Sequence, residues 1–131
     1  TGDQPNTEGP YIFGDPVDLV EIPVTWSLDD FPPFEFVIGM NAGLTGVSQV
    51  EENWRGDFDY LYQRIGTGVF CLTMHPQVIG RGHRMLMLER LMRTMAELPG
   101  VRFRTMADVA RDWHAANPLP QAKPRIAAAG E

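Results

Sequence analysis

The sequence predicts an α/β fold that is incomplete by itself, and three observations carry that expectation. An apolar run rich in β-formers, residues 69–74 (VFCLTM), stops abruptly at His75-Pro76. A strand buried on both faces reads this way, and proline ends it because it has no N–H for the ladder. Strand-like and helix-like segments then alternate along the chain, the pattern of parallel strands joined by right-handed crossovers. Only three such strands are expected, too few to close a barrel, and their edges stay open. The expected architecture is a portion of an α/β sheet or barrel that needs more protein to complete it.

Composition narrows the class. The chain has 131 residues, 44% of them hydrophobic, and a net charge of −6. The apolar content excludes wholesale disorder, and the acidic balance without a basic cluster excludes a nucleic-acid partner. No apolar run approaches the ~20 residues of a membrane span. The single cysteine, Cys71, lies inside the apolar run. It suits a reducing compartment, so a cytoplasmic location is expected. Residue 1 is Thr, not Met, so further protein is expected upstream.

Taken in order, residues 1–10 are polar and turn-rich and are expected to form a flexible arm. Residues 11–117 form the expected α/β portion, and the Pro/Ala-rich residues 118–131 a flexible tail. Residues 19–25 (LVEIPVT) read as a first strand, with Pro23 marking an end or bulge. Residues 35–46 have no period and read as a long loop of the kind that covers a site. Residues 47–65 fit a helix with Val50, Trp54, Phe58, Leu61 and Ile65 in a stripe, and Gly56 as a weak point. Residues 84–98 are a second helix, with Met85, Leu88, Leu91, Met92 and Met95 on one face and Arg84 away from it. Residues 101–104 read as a short strand. Thr105 and Asp108 open a last helix, 106–117, in a capping-box-like pattern, with Val109, Ala110 and Trp113 facing inward.

Two places attract chemistry. His75 stands at the carboxyl end of the buried run, just before a strand-to-helix loop, where α/β proteins place reactive groups. Asp29 and Asp30 follow the first strand among aromatics, as Trp26-Ser27-Leu28-Asp29-Asp30-Phe31. A carboxylate there is able to orient a histidine on a neighbouring strand; an Asp-rich turn before Pro32-Pro33 is the plainer alternative. His83 and His114 have no second ligand at metal spacing and read as structural.

The stretches LVEIPVTWSLDDFPPF, VFCLTMHPQVIGRGHRMLMLERLM and VRFRTMADVARDW, in that order, resemble the carboxyl half of polysaccharide deacetylases of the NodB-homology class. The branch they resemble includes peptidoglycan deacetylase-like proteins, allantoinases and cyclic imide hydrolases. The resemblance implies part of a distorted (β/α) barrel of the NodB-like deacetylase type, incomplete without an N-terminal half. It implies hydrolysis of a non-peptide C–N bond, foremost deacetylation of an N-acetylated sugar polymer. Leu72-Thr73-Met74-His75 is similar to the family's fifth motif and Asp29-Asp30-Phe31 to its fourth, with Phe31 in the aromatic place. The first three motifs, which carry the base, the metal ligands and an Arg, are absent.

The resemblance therefore makes His75 the general acid, with Asp29 or Asp30 tuning it. Leu72, Phe31 and Trp26 would wall the substrate. A divalent metal, zinc or similar, would have its ligands in the N-terminal half and none in this chain. The implied partners are that N-terminal half as a separate chain, an oligomeric assembly, and a saccharide or small amide or imide substrate. Two other functions stay open: an inactive carbohydrate-binding remnant of the fold, and an allantoinase- or cyclic-imidase-type ring hydrolase.

Overall fold

A computed structural model describes residues 19–118. The expected flexible arm and most of the expected tail lie outside them. Residues 23–103 form one compact unit, and the described residues 19–22 and 104–118 belong to another.

The first unit is built on two long helices. Helix α2 (Val47–Tyr60) continues into a π-helical turn, Leu61–Ile65, and ends at Gly66. Gly66 has φ 82°, the left-handed conformation that terminates helices and suits a residue without Cβ. Gly56 does not break the helix. Helix α4 (Gly82–Ala96) packs on α2. Their shared core is Val50, Trp54 and Phe58 against Met87, Leu88, Leu91 and Met95, closed by Phe34, Val78 and Ile79.

The α4 face differs from the one expected. Arg84, Leu88, Leu91 and Met95 are buried, whereas Met85 and Met92 are 46% and 40% exposed. With Met87, the buried positions follow an i, i+3, i+4, i+7, i+11 stripe, and Met85 and Met92 lie on its flank. Arg84 joins the buried stripe because its guanidinium finds backbone carbonyl acceptors there.

Two one-turn helices precede the long ones. Helix α1 (Phe31–Phe34) and helix α3 (Pro76–Ile79) both carry proline in the first turn, where no N–H is missed. The Pro32-Pro33 pair thus sits inside a helical turn. The expected loop 35–46 folds back on α1. The Asn41 side chain donates to the carbonyls of Phe31, Pro32 and Glu35, and the amides of Leu44 and Thr45 donate to Phe34 and Pro33. Carbonyls that a helix end leaves unpaired are satisfied in this way.

The expected strands are not paired into ladders among the described residues. Residues 19–25 and 101–104 have no strand partner, and 69–74 make one parallel bridge, Thr73 with Asp29. The run is not buried on both faces either. Phe70 and Leu72 pack against the core, while Val69 is 54% exposed. A strand covered on both sides needs neighbours that these residues do not supply.

In the second unit, helix α5 (Met106–Ala116) is capped by Thr105, whose hydroxyl oxygen accepts from the Asp108 amide. Val109 and Ala110 are half-buried, but Trp113, expected in a core, is 58% exposed. No helix among the described residues is long and apolar enough to cross a membrane.

Candidate active site

The single parallel rung sets the site. The Thr73 amide donates to the Leu28 carbonyl at 2.8 Å, and the Asp30 amide donates to the Thr73 carbonyl at 3.1 Å. In a parallel ladder the next bond would run from the His75 amide to the Asp30 carbonyl. That carbonyl instead accepts from Phe34 as α1 begins. The His75 amide turns to the Asp30 side chain, at 3.1 and 3.0 Å from its two oxygens. The ladder stops because a carboxylate has replaced a backbone acceptor.

The same carboxylate holds the imidazole. His75 Nδ1 lies 2.7 Å from Asp30 Oδ1. A carboxylate only accepts, so Nδ1 carries the proton and Nε2 is left to act outward. Asp30 is fully buried, while the His75 side chain is 38% exposed. Asp29 is one step removed. Its Oδ1 lies 3.9 Å from Nδ1 and accepts from the Phe31 amide at 2.7 Å. The hydrogen bond to Asp30 raises the His75 pKa above the ordinary histidine value. Partial burial opposes it, and the charges of Asp30 and then Asp29 add to it.

Of the two aspartates the sequence left open, Asp30 is the one that touches His75. The Phe31 ring stands edge-on to the imidazole, centroids 5.8 Å apart. Leu72, expected in the pocket wall, is partly buried and packs against the core. Trp26 is 78% exposed. It borders an open groove with Ser27, Pro32, Pro33, Asn53 and Asp57, whose lining includes neither Asp30 nor His75.

Asp29, Asp30 and His75 offer ligand atoms within 4.8 Å of one another, which suggests a cation site. Their hydrogen bonding argues otherwise. Nδ1 and both Asp30 oxygens are engaged with each other and with the His75 amide, and Asp29 Oδ1 with Phe31. With its proton on Nδ1, the imidazole offers no lone pair on its Asp30 side, so a cation there would have to displace that proton.

The sequence missed Arg84. It is 8% exposed and donates to the carbonyls of Val78 (2.7 Å) and Phe34 (3.1 Å) and to Glu35 (3.0 Å). Its guanidinium lies 4.6 Å from the centre of the Phe34 ring. Its spacing to Leu88 and Leu91 was the available signal.

Comparison with known proteins places this geometry. The chain is 35% identical over 111 residues to the peptidoglycan deacetylase of Helicobacter pylori, a match covering 83% of this chain and 38% of that protein. The chain is similar to part of a peptidoglycan or polysaccharide deacetylase. A second relative is a peptidoglycan deacetylase-like protein of Gibberella zeae, 29% identical over 106 residues, 74% of this chain and 31% of the relative. A crystal structure from Mycobacterium smegmatis, provisionally assigned as a polysaccharide deacetylase, superposes with a TM-score of 0.67 at 27% identity. That match covers 79% of this chain and 36% of the other. The chain thus spans well under half the length of each. No family profile matches it.

Proposed function

We propose that this chain forms part of a hydrolase that removes acetyl groups from an N-acetylated sugar polymer, with His75 as the general acid. The rest of a distorted (β/α) barrel, an N-terminal half, would supply the base that activates water and the ligands of a divalent ion. The 2.7 Å bond between His75 Nδ1 and the buried Asp30 carboxylate carries the reading. It fixes the tautomer, favours the imidazolium, and leaves Nε2 of a partly exposed side chain to meet a substrate. The relatives named as peptidoglycan deacetylases support the choice of substrate class.

In the proposed reaction, water adds to the amide carbonyl carbon and the tetrahedral adduct collapses. The C–N bond breaks as the departing nitrogen takes the proton from Nε2. Acetate and a free amino sugar are left; the proton that the base of the N-terminal half took from the attacking water then passes through solvent to Nε2 and resets both groups. Asp30 holds the ring through Nδ1 throughout, and Phe31 limits its tilt.

The test uses the chain assembled with the remainder of the barrel and an N-acetylated oligosaccharide. His75→Ala should lower turnover by roughly 10²–10⁴-fold with folding intact, and the bound metal should be unchanged by mass spectrometry. Normal deacetylation by the variant overturns the acid. Loss of metal would make His75 a ligand.

A further inference from the structure

We propose that Arg84 is a positioning residue for the Asp30–His75 pair, tying together from beneath the two helical turns that carry it. Asp30 is the N-cap of α1, and His75 is the N-cap of α3. Each helix is four residues long, about 6 Å end to end. Arg84 binds the far end of both. Nη2 donates to Phe34, the last residue of α1, and Nη1 to Val78, in the last turn of α3. One rigid fork therefore fixes the spacing of two short levers, and the two reactive side chains stand at their other ends.

Three further observations mark this as a placement device. The Phe34 ring lies under the guanidinium and Glu35 neutralises its edge, so the fork is held from several sides. Arg84 Nε is buried with no hydrogen-bond partner. The fork's orientation is thus dictated by the two carbonyls and Glu35, not by full satisfaction of its own donors. Lysine carries its three donors on one nitrogen and lacks the planar fork that reaches the two carbonyls from separate Nη atoms.

The kinetic consequence rests on the reading of His75 as the acid; the structural one does not. The experiment prepares Arg84→Lys and Arg84→Met in the assembled protein. It measures the His75 imidazole titration by NMR together with kcat and KM on an N-acetylated oligosaccharide. The charges that bear on His75 among the described residues are those of Asp30 and Asp29, and neither variant alters them. The His75 midpoint should fall toward the ordinary histidine value, further in Met than in Lys. Turnover should drop by about 10–100-fold with KM within about twofold, as expected of a misplaced group. A folded Arg84→Met protein with the wild-type His75 titration overturns the proposal. So does failure of both variants to fold, which would leave Arg84 a structural residue only. If His75→Ala keeps full activity, the acid reading falls, and the titration still decides the clamp.

Discussion

Asp30 accepts from the amide and the ring of one residue, His75, and this double use has a pH signature. The His75 pKa is raised above its ordinary value, first through the Asp30 hydrogen bond. A raised histidine favours the folded state at pH below its ordinary range, and that contribution is lost as pH rises through the raised value. An acid must also be protonated to act, so the basic limb of the pH–rate profile should follow the same group. Asp30→Asn should move that limb to lower pH. Asp29→Asn should move it in the same direction but less, because Asp29 contributes charge alone, at 3.9 Å. Equal shifts in the two variants would mean that the hydrogen bond is not the main cause.

The elements were legible in the sequence to the extent that each contains its own partners. Helices α2, α4 and α5 bond within themselves, and their stripes are visible in Val50, Trp54, Phe58 and in Leu88, Leu91, Met95. A strand is completed by its neighbour, and residues 69–74 meet a ladder partner only at Asp29 among the described residues. Their apolar composition was readable; their pairing was not. The Asp30–His75 contact was legible only as a choice between Asp29 and Asp30, since 45 positions separate its members and no local pattern shows which carboxylate reaches the ring. Arg84 escaped because its buried acceptors are backbone carbonyls, which no side-chain pattern announces. Two stability predictions belong at this scale. Leu88→Ala, on the buried face of α4, should cost on the order of 2–5 kcal/mol in chemical denaturation; a loss under about 0.5 kcal/mol would place that face in solvent. Gly43→Ala should destabilise the fold-back over α1. Gly43 has φ 48°, and a Cβ there would overlap the Glu35 carbonyl. An unchanged melting temperature would show that the segment moves aside freely.

Across the whole molecule, large apolar side chains remain uncovered. Leu19, Trp26, Ile38, Met40 and Leu44 are each more than 70% exposed. So much apolar surface is costly in water and is typical of chains that meet further protein. Expressed by itself, the 131-residue chain should be aggregated or molten; a soluble monomer with a sharp cooperative melt would refute this. An N-terminal part of the barrel, supplied in trans, should restore solubility and deacetylation together.

The indole N–H of Trp54 donates to the Ser27 carbonyl at 3.0 Å, two residues before Asp29. Trp54 is 1% exposed, whereas Trp26 and Trp113 are mostly in solvent. The chain therefore carries an optical gauge. With Trp26 and Trp113 replaced by Phe, the remaining emission comes from a dry ring moored to the segment that leads into Asp29 and Asp30. Loosening of that mooring would let water reach the ring and redden its light while the far-ultraviolet helix signal stays constant. Slack in the site would thus become visible before the helices melt.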